Sequence, residues 1–77
     1  MYVLRSQSSP NRYYTGLTSD LASRLAAHNG GLSTHTAPGR PWQVIVAIEF
    51  ADSAKAERFE AYLKTGSGRA FARRHFR

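Results

Sequence analysis

The sequence predicts an α+β domain, a three-stranded antiparallel sheet flanked by three helices. Three observations carry this. Two β-prone runs near the start enclose a polar turn segment. A nearly continuous apolar run at 44–50 reads as a strand, and three further segments carry helix caps or helical periodicity. At 77 residues the chain makes one domain, residues 1–77, with room for one small core.

The first strand is Tyr2 to Arg5, and Ser6 to Asn11 (SQSSPN) is turn-forming. Arg12 to Gly16 (RYYTG) returns as the second strand of a hairpin. Thr18-Ser19-Asp20 then opens a helix: a Thr or Ser side chain can cap its free N–H groups, and Asp20 suits the positive end of its dipole. That helix runs to about His28, and Asn29-Gly30-Gly31 stops it. Gly30 to Pro41 (GGLSTHTAPGRP), rich in Gly, Pro and hydroxyl residues, reads as a mobile loop. Val44 to Phe50 (VIVAIEF) is apolar on both faces, which predicts burial on both faces and helices on both sides of the sheet. Asp52-Ser53 caps a helix from about Ala54 to Lys64; Gly66-Ser67-Gly68 breaks it, and Arg69 to Phe76 makes a short basic last helix.

Composition narrows the function. There is no cysteine, so disulfides, thiolate zinc sites and cysteine nucleophiles are excluded. Eleven basic against five acidic residues give a net charge of +6, and nine of the basic residues are Arg, whose planar donor fork suits phosphate. A polyanion, nucleic acid first, is the expected partner. No apolar run is long enough to span a membrane and no secretory signal is visible, so the expectation is a cytoplasmic protein with no membrane partner.

Several polar residues sit where the helical pattern wants apolar ones. On the first helix His28 lies in line with the Leu21–Leu25 stripe and Arg24 flanks it. An unpaired guanidinium there must reach a carboxylate, a ligand or water. On the second helix Glu60 sits beside the Ala56–Phe59–Leu63 stripe, as an ion-pair partner of Arg24, a simple boundary residue or a divalent-metal ligand. In the hairpin, Tyr13 and Tyr14 face opposite sides, and Tyr14 shares its face with Gly16. Gly16 meets a turn requirement or lets backbone approach a ligand. Arg69, Arg73 and Arg77 are spaced four apart, with Arg74 beside them, and Arg40 lies in the loop; these are the expected phosphate contacts.

In this order the residues resemble the GIY-YIG nuclease domain over almost the whole chain. Tyr2-Val3-Leu4-Arg5-Ser6 resembles the end of the first motif, with Tyr2 at its tyrosine, and Tyr14-Thr15-Gly16 resembles the second. Arg24 lies eight residues beyond Gly16 and His28 four beyond Arg24, spacings similar to the family's helix. Ala56 to Lys64 (AERFEAYLK) resembles the later helix, with Glu60 at the metal-binding glutamate, and Thr65 to Phe71 (TGSGRAF) is similar to the tail of small stand-alone bacterial members. Met1 rather than Gly-Ile precedes Tyr2, Thr15 stands where Ile or Val is usual, and no Asn follows Glu60.

The resemblance implies a metal-dependent DNA endonuclease that hydrolyses phosphodiester bonds, in DNA repair or recombination, with RNA as a further candidate substrate. It implies a single Mg²⁺ or Mn²⁺ on Glu60, and Arg24 stabilising charge on the phosphoryl group. Tyr2 becomes the preferred general base, with Tyr14 as orienter or alternative, and His28 positions the water or a tyrosine. A free tyrosine titrates near 10, so such a base needs the metal and Arg24 to lower it. Two alternatives stand beside this reading: a nucleic-acid-binding module of the same fold with little activity, and a scaffold docked on a larger DNA-processing protein.

Overall fold

A computed structural model describes residues 1–77. Strands β1 (Tyr2–Ser6) and β2 (Tyr13–Gly16) lead to helix α1 (Leu21–Asn29), a 3₁₀ turn (Ala37–Gly39) and strand β3 (Trp42–Ala47). Helices α2 (Ser53–Leu63) and α3 (Gly66–His75) complete the fold. The sheet is antiparallel with order β2-β1-β3, as the sequence predicts.

The centre of the sheet is β1, not the apolar run that follows the loop. Met1, Tyr2, Val3 and Leu4 are all buried, whereas Val44, Ile45 and Val46 of β3 are half-buried and Ala47 is exposed. The expectation of a strand over 44–50 buried on both faces is corrected here. As an edge strand, β3 has one lateral side open, and it ends where its partner does. Tyr2 pairs with Ala47, and the last links beyond are the Met1 amine donating to the Ile48 carbonyl at 3.0 Å and the Ile48 N–H donating back to Met1.

The unbroken apolar run has another cause. Val3 pairs with Val46 and Leu4 with Val44, so Ile45 is an extra residue in the ladder, a β-bulge. Ile45 and Val46 consequently both pack on the core beside α2 and α3, formed by Met1, Val3, Leu63 and Ala72. Val44 serves the opposite core, where Tyr2, Leu4 and Trp42 meet Leu21 and Leu25 of α1. Helices thus cover both faces of the sheet, as anticipated.

Three more boundaries differ from the sequence reading. Asp20 itself caps α1, accepting the Ser23 N–H, while the Thr18 hydroxyl takes the Asp20 N–H. The glycines at 66–68 do not break a helix but form the first turn of α3, because the Thr65 hydroxyl accepts the Gly68 N–H and starts the helix ahead of them. The segment 30–41 is tied down rather than left loose. Its 3₁₀ turn is held by the buried Ser6 hydroxyl donating to the Gly39 carbonyl, and Trp42 Nε1 donates to the Thr36 carbonyl at 2.7 Å.

Candidate active site

Strand alternation puts Tyr2, Leu4, Tyr14 and Gly16 on one face of the sheet, with Tyr2 opposite Gly16 and Leu4 opposite Tyr14. The missing side chain at Gly16 gives Tyr2 its place: a Cβ there would stand 2.6 Å from Tyr2 Oη and 3.0 Å from Tyr14 Cε1. The two phenol rings lie 6.2 Å apart between centroids.

Helix α1 crosses this face and delivers His28 from its last turn. The imidazole is 1% exposed; its Nε2 lies 2.9 Å from Tyr2 Oη, and its ring centre lies 4.8 Å from that of Tyr14. Arg24, one helical turn earlier, is exposed, and its guanidinium lies alongside the phenols of Tyr2 and Tyr14. Tyr2, Tyr14, Arg24 and His28 therefore form one cluster.

The electrostatics differ from expectation on one point. Arg24 favours the ionised phenol of Tyr2, but burial outweighs it and holds the Tyr2 pKa above its ordinary value. The phenols, Tyr2 foremost, push the Arg24 pKa further up, so the guanidinium stays charged at any working pH. Burial, then the Arg24 charge, pushes His28 below its usual value and keeps it neutral at pH 7.

The sequence did not mark Thr36. It is 1% exposed, and its Oγ1 lies 2.8 Å from His28 Nδ1. Asn29 supports the same corner: its Nδ2 donates to the Trp42 carbonyl at 3.1 Å and its Oδ1 accepts the Trp42 N–H. No buried side-chain polar atom lacks a partner. A threonine inside a Gly/Pro-rich loop carries no periodicity, so only its position eight residues after His28 could have drawn attention.

Glu60 stands apart. It is on α2, which packs on the other face of the sheet, and its partner is Lys64 at 2.9 Å, not Arg24. Its side chain is 16% exposed. Between the start of α1, the end of β3 and α2 runs an open cleft of about 960 Å³, lined by Tyr2, Leu21, Ile48, Phe50, Glu49 and Glu57 among others. Glu60 is one helical turn beyond Glu57 and is not among the residues that line the cleft.

The basic residues divide between two places. Arg69, Arg73 and Arg74 lie exposed on α3, across the sheet from Arg24. Arg77 lies beyond the end of α3, so it does not extend that helical face; instead its guanidinium stacks 3.9 Å over the Tyr13 ring. Arg40 spends its Nε–H on the Ala37 carbonyl at 2.9 Å and keeps its remaining donors exposed.

Two tyrosines, an arginine and a histidine thus gather on one face of a three-stranded sheet in a short mixed domain. The chain belongs to the GIY-YIG family: its residues 1–74 match the GIY-YIG catalytic domain. The UPF0213 protein of Listeria monocytogenes (serotype 4b, strain F2365) is 39% identical over 64 residues, 82% of this chain and 70% of that protein. The UPF0213 protein of Streptococcus pneumoniae is 40% identical over 65 residues, 83% of this chain and 64% of its own length. The structure-specific endonuclease subunit SLX1 of Meyerozyma guilliermondii is 36% identical over 70 residues, 83% of this chain. The chain spans only 24% of that subunit's length. No solved structure matches at a significant level.

Proposed function

We propose that the chain is a metal-dependent endonuclease that hydrolyses DNA phosphodiester bonds. The observation that carries this reading is the contact of Tyr2 Oη with neutral His28 Nε2 at 2.9 Å, beside the permanently charged Arg24. Membership of the family and the net charge of +6 support it. Arg24 faces the phosphate and stabilises the charge that grows on its oxygens. Tyr2 is protonated at neutral pH, so it does not act as a free base. It takes a proton from the attacking water as its own proton passes to His28 Nε2, and the nitrogen lone pair becomes the new N–H bond. Tyr14 packs against both rings and fixes their angle. Arg40, Arg69, Arg73, Arg74 and Arg77 hold neighbouring backbone phosphates.

The donor the chain offers a hard divalent cation is the single carboxylate of Glu60, now paired with Lys64. Mg²⁺ takes one or two protein carboxylates, keeps several waters and binds substrate phosphate. Glu60 offers one carboxylate, Glu57 lies one turn away, and no group of three or more His, Asp or Glu converges anywhere. Glu60 would hold Mg²⁺ or Mn²⁺, and the ion would supply Lewis-acid stabilisation of the phosphoryl oxygens. Action in DNA repair or recombination, in the cytoplasm and beside a larger DNA-processing partner, belongs to the same proposal; the word "subunit" in the name of the Meyerozyma relative supports the last part.

The test is cleavage of labelled duplex, nicked, flap and four-way-junction DNA with Mg²⁺, Mn²⁺ or chelator, run beside Glu60→Ala. Metal-dependent products that disappear in the variant, with the thermal midpoint little changed, are the expected result. Undiminished cleavage by Glu60→Ala would overturn the metal assignment. Binding without cleavage in every metal would favour the non-catalytic module, the reading that the Glu60–Lys64 pair on the far layer favours.

A further inference from the structure

The imidazole of His28 has two partners, one on each nitrogen, and only the tyrosine side belongs to the reaction proposed above. We infer that Thr36 is a positioning residue: its hydroxyl holds the His28 proton on Nδ1 and so leaves Nε2 bare to accept the Tyr2 O–H. This inference rests on the nuclease reading, in which Nε2 takes the Tyr2 proton; that requirement, with the two contacts of the ring, sets the tautomer.

The proposed proton transfer needs a bare Nε2, and the contacts of the ring follow from that. The guanidinium beside Tyr2 has only donors, so the phenol proton cannot go there. Of the polar groups beside Tyr2 Oη, the Tyr14 hydroxyl among them, His28 Nε2 is in direct contact at 2.9 Å and is the one the proposed transfer uses. A neutral imidazole carries one N–H, so when Nε2 accepts, Nδ1 must donate. Its partner is Thr36 Oγ1 at 2.8 Å. Both residues are 1% exposed, so bulk water has no access to replace the hydroxyl.

Thr36 is itself firmly placed. Its carbonyl accepts the indole N–H of Trp42, a core residue 4% exposed, at 2.7 Å, and its N–H donates to the Ser33 carbonyl at 3.3 Å. It also caps the 3₁₀ turn whose last carbonyl, that of Gly39, takes the Ser6 hydroxyl. The loop is thus anchored to β1, which carries Tyr2, and to its neighbour β3. The charged and titratable groups that face His28 are Arg24 on its own helix, Tyr2 on β1 and Tyr14 on β2; the loop contributes the neutral Thr36. Burial and the Arg24 charge both keep the imidazole uncharged, the state in which the choice of tautomer matters.

Without the hydroxyl, Nδ1–H would be a buried donor with no acceptor, an unfavourable state. The proton then moves to Nε2, which faces the phenol oxygen as a donor, and Tyr2 loses its proton acceptor. Thr36→Val is close to isosteric and produces this state; Thr36→Ser restores the hydroxyl.

The experiment is long-range ¹⁵N–¹H correlation NMR of His28 in the full chain at pH 7.5, for the parent, Thr36→Val and Thr36→Ser. Alongside it, kcat, KM and their pH profiles are measured on the cleaved DNA. The expected result is an Nδ1–H imidazole in the parent and in Thr36→Ser, and loss of that signature in Thr36→Val. In Thr36→Val kcat should fall about ten- to a hundredfold with KM little changed, a scale taken from the outer partners of metal-ligating histidines. An Nε2–H imidazole in the parent would overturn the inference, as would a Thr36→Val variant with unaltered tautomer and kcat. The expected tautomers in a chain that cleaves no DNA would sustain the Thr36 assignment and sink the nuclease reading, so the two failures are separable.

Discussion

Gly16 shows how narrowly the tyrosine pair is fitted. Its Cα lies across the ladder from Tyr2, and the space that a Cβ would fill already holds Tyr2 Oη at 2.6 Å. Gly16→Ala should therefore displace the phenol from His28. We expect a loss of about 1–3 kcal/mol, the usual cost of overpacking, together with a larger proportional fall in cleavage; chemical denaturation and single-turnover rates measure the two. A fully active Gly16→Ala would show that the Tyr2–His28 distance is not critical. His28 also links the site to pH. Its folded pKa lies below the unfolded value of about 6.5, so the unfolded chain binds the proton first as pH falls. Its contribution to stability is complete above about 6.5 and is lost as pH falls from there through the lowered folded value. Thermal midpoints of the parent should drop across that window, and those of His28→Gln should drop less.

At the scale of elements, the fit of α2 against α3 depends on Gly68. The helices approach so closely that a Cβ at Gly68 would overlap the Tyr62 carbonyl and the Leu63 Cα, both backbone atoms that cannot rotate away. Gly68→Ala should force the helices apart and cost about 1–3 kcal/mol, whereas Thr65→Ala should cost about 1 kcal/mol through loss of the α3 cap. Urea titrations that lower the midpoint at constant slope, with Gly68→Ala the worse, would bear this out. The same element explains what the sequence could and could not convey. Periodicity placed His28 and Leu63 in the core and Arg24 at its edge, because a helix presents each face at a fixed interval. The start of α3 was hidden because three residues of poor helix propensity follow Thr65, and the close approach that demands a glycine at 68 is a tertiary fact. Trp42 was hidden behind Pro41, and the role of Ile45 depends on a bulge, which only strand pairing shows. The link from Thr36 to His28 joins a loop to a helix end and leaves no local pattern.

For the whole molecule, charge and layering decide how a polyanion can lie. The net charge of +6 is spread over both sides of the sheet: Arg24 on the α1 side, the arginines of α3 on the other. No helix is long and apolar enough to cross a membrane. If Arg73 and Arg77 each contact one phosphate, alanine at either should weaken binding to every DNA sequence alike. It should also reduce the slope of log K against log salt by about 0.9. Titrations from low to moderate salt test this, and a change in sequence preference would contradict it. Edge strand β2 touches both sides, since Tyr13 carries Arg77 and the adjacent Tyr14 flanks His28 from the opposite face. That alternation has an evolutionary consequence. Substitutions on the α3 side can retune what the domain grips, and substitutions on the α1 side what it does, with a two-residue step in one strand as their shared boundary. Descendants of such a domain are free to diversify on the α3 side while inheriting the Tyr2–Tyr14–His28 cluster intact.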